Sequence, residues 1–183
     1  MKSKQTIYNG WLENERKVIS PHFDQRPDLK DISLLVIHYI SLPPSQFGGG
    51  YIDDFFQGKL DPNQHPYFQE IYQMRVSSHC FIDRVGKVTQ YVSFNDRAWH
   101  AGVSSFQGRE KCNDFAIGIE LEGDNDHPFT DLQYQKLIQV TKQIMNTYPL
   151  ITRERIVGHC DISPNRKIDP GQYFDWDRFL NHL

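Results

Sequence analysis

Leu34-Leu35-Val36-Ile37-His38 is the stretch on which the fold turns. Its first four residues are apolar without alternation, the pattern of a strand buried on both faces. Such a strand needs a packed layer above it and another below. The chain is therefore expected to be α/β: a central mixed β-sheet flanked by helices. A length of 183 residues favours one domain spanning 1–183.

Working outward, residues 78–83 and 87–92 flank Arg84-Val85-Gly86 and predict a hairpin. Residues 115–122 predict another strand, in which Ile117, Ile119 and Leu121 alternate with Gly118, Glu120 and Glu122. Thr130 is a candidate helix N-cap. Beyond it Leu137, Ile138, Thr141, Ile144, Met145 and Tyr148 recur at three- and four-residue steps, and Pro149 ends the helix. A second helix is expected after Asp175. Residues 41–74 read as a long irregular insert with a short helix near 51–56, punctuated by Pro43-Pro44 and Gly48-Gly49-Gly50. An insert of that length in a compact domain suits a binding element.

Composition narrows the function. Apolar residues are 38% and charged residues 23%, with a net charge of -3 and no dense Lys/Arg run. This is a globular balance that argues against nucleic acid or an anionic membrane surface as partner. No apolar run is long enough to span a bilayer. The basic start Met1-Lys2-Ser3-Lys4-Gln5 is followed by a polar stretch rather than a signal-peptide core, so a cytoplasmic protein is expected. Cys80, Cys112 and Cys160 form no CxxC pair and read as free thiols.

The chemistry-bearing residues are scattered. His38 follows the apolar strand, near the carboxyl end where α/β sites gather; it is either a ligand or a histidine capping the strand. His159 ends Ile156-Val157-Gly158-His159, read as extended, and Asp169 follows ten residues later before Pro170. Two neutral imidazoles and a carboxylate make a zinc set that leaves a coordination position for water, although no HExxH or CxxC motif is present. Lys167, two residues before Asp169, is either an oxyanion partner or an ordinary surface lysine. Glu120 sits in an apolar strand: it faces a polar cleft, or it lies on the solvent face of an edge strand. His79 and His100 read as pocket-lining or structural, and Cys160 as a packing residue whose side chain points away from that of His159.

These local patterns come together in a resemblance. Ser20-Pro21-His22-Phe23-Asp24, residues 34–38, Ile40-Ser41-Leu42-Pro43-Pro44, Arg97-Ala98-Trp99-His100-Ala101-Gly102, residues 108–114, 117–123 and 158–162, and Arg166-Lys167-Ile168-Asp169-Pro170-Gly171 occur in an order that covers nearly the whole chain. Together they resemble the N-acetylmuramoyl-L-alanine amidase type-2 family, which shares its fold with peptidoglycan-recognition proteins. Within that family the chain is most similar to the branch acting on 1,6-anhydro-muropeptides. The resemblance implies Zn2+ bound by His38, His159 and Asp169, with Glu120 near the metal water and Lys167 on the oxyanion. It implies that Arg75, Trp99 and the 108–114 loop, with Lys111 and Asn113, hold a small-molecule anhydro-muropeptide; a monomer is expected. The proton for the leaving nitrogen would pass through Glu120 or Asp169. Tyr39 stands where that branch usually has asparagine, and Lys111 where it often has arginine. A lysine does not reproduce arginine's two-pronged contact with a carboxylate, so stem-peptide preference is expected to shift. Three other readings remain: a non-catalytic peptidoglycan-binding module, an amidase acting on polymeric wall, and a phage-type lysozyme with a polymerase-binding role, which the long insert does not suit.

Overall fold

The computed structural model describes residues 6–183. Its strands are β1 (Ile7–Tyr8), β2 (Trp11–Leu12), β3 (Arg16–Lys17), β4 (Phe23–Gln25), β5 (Leu34–Ile40), β6 (Cys80–Ile82), β7 (Val88–Gln90), β8 (Asp96–Ala98), β9 (Ser105–Phe106), β10 (Arg109–Glu110), β11 (Ala116–Glu122) and β12 (Ile156–Gly158). The helices are α1 (Tyr51–Phe56), α2 (Phe68–Ile71), α3 (Asp131–Thr147), α4 (His159–Ile162) and α5 (Trp176–Leu180). Six strands form one mixed sheet in the order β12-β5-β11-β6-β7-β3. β12, β5, β11 and β6 run parallel, β7 returns antiparallel to β6, and β3 runs parallel to β7.

β5 and β11 lie in the middle of the sheet, and every residue of β11 is buried. Alternation divides their side chains between two layers. Leu35, Ile37, Ile117, Ile119 and Leu121 pack against Tyr134, Leu137, Val140 and Ile144 of α3. Leu34, Val36 and Ala116 pack on the other face with Ala101, Cys112, Phe115 and Ile162. Each fully buried aliphatic side chain contributes about 1.5–3 kcal/mol, so these strands dominate the core.

The hairpin between β6 and β7 forms as expected. Asp83 Oδ1 accepts from the backbone N–H groups of Val85 and Lys87, and Gly86 takes φ 79°, a left-handed conformation suited to glycine. Helix α3 opens with a capping box between Thr130 and Gln133. Its stripe is shifted from the expected one. Gln133, Tyr134 and Val140 are buried, whereas Ile138, Met145 and Tyr148 are only partly covered. Asp175 caps α5 by accepting from Arg178 N–H. Cys80, Cys112 and Cys160 are free thiols. Among the described residues, no helix is long and apolar enough to cross a membrane.

Three local expectations need correction. β5 does not stop before His38 but runs to Ile40, because pairing with β11 carries the backbone ladder on, with Glu120 opposite His38 and Glu122 opposite Ile40. His159 is not extended: it is the first residue of the one-turn helix α4, whose Asp161 carboxylate accepts from Gly158 N–H at 2.7 Å. Cys160 therefore lies on a helical turn. Its half-exposed thiol is set by that turn and not by strand alternation.

The segment 41–74 is also more ordered than its composition suggests. Besides α1 it contains α2, and Leu42, Ile52, Phe55, Phe56, Leu60, Phe68 and Ile71 join Phe81 and Tyr91 in an apolar cluster of their own. Polar ties fasten it to the sheet. Tyr91 Oη donates to Asp53 Oδ1 at 2.6 Å, and Gly48 N–H donates to Glu122 Oε1 at 2.5 Å.

Candidate metal centre and active-site cleft

Alternation places His38, Gly118, Glu120 and Glu122 on the sheet face opposite α3. There they do different work. Glu122 ties backbone, accepting from Gly48 and Arg84 N–H groups. Gly118 is the seat of a ring: a Cβ at that position would lie 2.5 Å from His100 Cγ. Glu120 lines a cleft of about 670 Å³ together with His38, Trp99, His100, His159, Lys167 and Asp169. The solvent-face alternative for Glu120 fails, because β11 is an interior strand between β5 and β6.

His38, His159 and Asp169 meet at the floor of this cleft. His38 Nδ1 lies 2.9 Å and His159 Nδ1 3.0 Å from Asp169 Oδ2, and the two imidazole nitrogens are 3.0 Å apart. All three residues are buried, and among the described residues they form a group able to hold a metal ion. His38 arrives on β5 and His159 on the first turn of α4. Asp169 arrives on the loop after α4, its position set by its carbonyl accepting from Cys160 N–H at 3.0 Å.

Burial and the contacts among these groups together set the protonation of the floor. Burial pushes the His38 imidazole down to about 4, although the hydrogen bond to Asp169 pulls the other way. His100 is held well below its ordinary value by the same cause. Burial alone would raise Asp169, but its hydrogen bonds to His159 and His38 prevail and keep its carboxyl well below the usual range. Glu120 is driven well above that range, by burial first and then by the negative Asp169, with Lys167 opposing. Glu120 Oε2 is buried and has no hydrogen-bond partner.

The other sequence candidates are spread around this floor. Lys167 is exposed and lines the cleft from the loop after α4. Trp99 is half-buried, and its indole N–H donates to Asp24 Oδ1 at 3.2 Å. It lines both the cleft and an adjoining groove, where Arg75 and His22 also lie. Lys111 and Asn113 do not line the cleft. Asn113 Oδ1 accepts from the backbone N–H groups of His100 and Ala101 at 3.2 and 2.9 Å, so the structure places it behind the wall. His100 lines the cleft and His79 does not.

Several lining residues carried no separate signal in the sequence. Phe55, Phe56, Tyr67, Ile71 and Met74 come from the insert or its border, and Asn125 and Asp126 from the loop before α3. Arg166 donates to the Ala101 and Val103 carbonyls and to Ser163 Oγ, fastening the loop that carries Lys167. Its place beside Lys167 in 166–171 was the one available hint.

With this geometry in view, the comparisons with known proteins are direct. The family described as N-acetylmuramoyl-L-alanine amidase matches residues 28–172, and the chain belongs to that family of amidases. It is 72% identical to 1,6-anhydro-N-acetylmuramyl-L-alanine amidase AmpD of Haemophilus influenzae, over all of both chains. A crystal structure of a Se-Met AmpD derivative superposes with a TM-score of 0.94 at 56% identity, covering 97% of this chain and 98% of that one. AmiD of E. coli, solved with anhydro-N-acetylmuramic acid-L-Ala-D-gamma-Glu-L-Lys, gives a TM-score of 0.62 at 28% identity, covering 98% of this chain and 65% of that one. The single α/β architecture with a central mixed sheet is thus the architecture of these amidases.

Proposed function

We propose that this chain is a zinc-dependent amidase of cell-wall recycling. It would hydrolyse the amide between the lactoyl group of 1,6-anhydro-N-acetylmuramic acid and L-alanine in soluble muropeptides. The observation that carries this reading is the convergence of His38 Nδ1, His159 Nδ1 and Asp169 Oδ2 within 2.9–3.0 Å of one another beneath a substrate-sized cleft. The identity of the H. influenzae relative points to the same substrate class.

The donor set fits zinc. His159 Nε2 sits 3.0 Å from the Ala101 carbonyl, an acceptor only, and 3.4 Å from Arg166 Nη2; a proton on Nε2 leaves Nδ1 able to present a lone pair to an ion. In that form a cation would stand where the proton of the His159–Asp169 hydrogen bond otherwise sits. Tetrahedral zinc with ligand bonds of about 2.0–2.2 Å sets its ligands about 3.3–3.6 Å apart, a few tenths of an ångström wider than the 2.9–3.0 Å spacing present here. When bound, the ion supplies Lewis-acid activation of the amide carbonyl and of the attacking water.

The chain's own residues do the rest. Glu120, whose buried Oε2 has no partner, takes the proton from the attacking water and returns it to the L-alanine nitrogen as the C–N bond breaks; the positive charge of a bound ion would favour the carboxylate form that the first transfer needs. Asp169 is the poorer carrier, because its Oδ2 is already engaged at the two imidazole nitrogens and would be a metal ligand. Lys167 supplies a positive charge at the carbonyl oxygen as it becomes negative. Trp99 offers an apolar face to the sugar or lactoyl group, and Arg75 a guanidinium to a stem-peptide carboxylate. Lys111 and Asn113 remain part of the proposed recognition loop, Asn113 by shaping it. The insert 41–74 forms one wall, and the proposed setting is the cytoplasm.

The deciding experiment measures zinc content and compares turnover of a soluble anhydro-muropeptide with release from intact sacculi. Stoichiometric zinc and preference for the soluble fragment are expected. Equal or greater activity on sacculi would instead support a polymer-directed amidase, and a bound fragment recovered intact would indicate a binding module. Cell fractionation tests the cytoplasmic setting.

A further inference from the structure

We propose that the dipeptide His100–Ala101 is the device that sets the tautomer of both metal-site histidines, with His100 as the positioning residue for His38. The inference rests on reading the floor of the cleft as a zinc centre.

The two halves of the dipeptide act on different ligands. The Ala101 carbonyl accepts from His159 Nε2 at 3.0 Å. His100 Nδ1 lies 2.9 Å from His38 Nε2, with the two rings nearly perpendicular at 82°. A ligating imidazole must offer a lone pair at one nitrogen, and the partner of its other nitrogen decides which one. For His159 that partner is the Ala101 carbonyl, nearer than Arg166 Nη2 at 3.4 Å, so a zinc-ligating His159 carries its proton on Nε2. For His38 the partner is another imidazole, which can donate or accept. With zinc on the site-facing His38 Nδ1, His38 Nε2 carries the proton and His100 Nδ1 is the acceptor.

The surroundings hold His100 for that task. Its backbone N–H and that of Ala101 both donate to Asn113 Oδ1, which pins the dipeptide. Its ring rests on Gly118, where any side chain would displace it: a Cβ there would lie 2.6 Å from the same Nδ1. With Nδ1 accepting, His100 carries its proton on Nε2, a buried nitrogen without a partner. An imidazole that only filled space would gain nothing from this arrangement, since an apolar side chain avoids an orphaned donor. The arrangement makes sense if the other ring nitrogen has work to do. Asn113 is thereby assigned a role behind the metal centre, two steps from any substrate.

The test uses the full chain, zinc as the titrant, and three variants. His100→Leu keeps bulk and removes the acceptor. His100→Asn puts Oδ1 close to where Nδ1 stood. Asn113→Ala releases the backbone pin. Zinc affinity is measured by chelator competition, and the His38 tautomer by long-range ring ¹H–¹⁵N spectra of zinc-loaded protein at neutral pH. His100→Leu should weaken zinc binding about 10–100-fold and mix the His38 tautomers, with Asn113→Ala showing a smaller loss in the same direction. His100→Asn should restore near-wild-type affinity and the Nε2–H form. If the leucine variant fails to fold, the wild-type and asparagine spectra decide, and His38 protonated at Nδ1 overturns the proposal. So does a folded His100→Leu that binds zinc as tightly as wild type, or a His100→Asn as weak as leucine. A wild-type protein that takes up no zinc would instead overturn the zinc reading itself, a result separable from any of these.

Discussion

The floor and the rim of the cleft are built from different material. On the floor, His38, Glu120, His159 and Asp169 are 1%, 9%, 3% and 8% exposed. Two of them stand on adjacent parallel strands in register, and the others on one helical turn and its following loop. On the rim, Lys167 and Asp126 are exposed, and Ile168 is 61% and Met74 48% exposed. Burial lowers the His38 imidazole and raises the Glu120 carboxyl, while its imidazole neighbours hold Asp169 down. Solvent screens the rim and leaves it free to vary. The difference separates chemistry, which needs fixed charge states, from recognition, which needs reachable side chains.

The sharpest test of that division is removal of a floor ligand. His159→Ala, or chelation of the wild type, should cut turnover by more than the roughly 10–100-fold expected of a change outside the ligand set. The sheet should stay folded by circular dichroism, since its backbone ladder does not depend on the ion. Full activity in His159→Ala would sink the zinc assignment.

Next come the two proposed catalytic groups. Glu120→Gln should lower kcat by about 10²–10⁴-fold, because the amide is nearly isosteric but cannot carry the proton. Lys167→Ala should lower kcat by about 10²–10³-fold with little change in KM. A rise in KM with kcat intact would make Lys167 an ordinary rim residue and restore a simple contrast between a reactive floor and a binding rim.

The insert offers a milder test. Phe68 is fully buried and stacks edge-on against Tyr51 with centroids 4.9 Å apart. Phe68→Ala should cost about 3–5 kcal/mol in urea unfolding if the insert melts with the sheet. It should raise KM more than it lowers kcat. A change in kcat alone would argue that the wall reaches into the chemistry.

The smallest effect concerns the rim near Asp124. Burial would raise this carboxyl, but bonds from the Ser45 side chain, Asp126 N–H and the His127 ring bring it down to about 2. A depressed carboxyl stabilises the folded state above its unfolded value, and that contribution is lost as pH falls through the folded one. An NMR titration of the Asp124 side chain should therefore find a midpoint near 2. A midpoint at 3.8 would mean that the clasp is not made in solution.

Much of the sheet was legible because its signals are local. Leu34–Ile37 and the alternation through Ile117, Ile119 and Leu121 are consequences of strand geometry alone. The Thr130 cap and Pro149 stop were equally local. The insert was harder to read: its two short helices owe their order to Phe55, Phe56 and Phe68 packing on Phe81 and Tyr91, contacts that no nearby residue announces. His38 was read as following its strand because a histidine looks like an ending. The neighbouring strand, far along the chain, carries the ladder past it.

The chain's residues alone specified a buried central strand, the long capped helix and a set of imidazoles and carboxylates in an order that resembles one amidase family. Which of those groups would meet was settled only by the packed molecule. Parallel pairing set Glu120 beside His38, one turn of helix aimed His159, and Asn113 turned His100 and Ala101 toward the two imidazoles. The reason is physical. Propensity and periodicity act over a few residues, whereas desolvation and hydrogen-bond partnership, which fix a proton on one nitrogen rather than another, depend on neighbours up to 131 positions away in the chain.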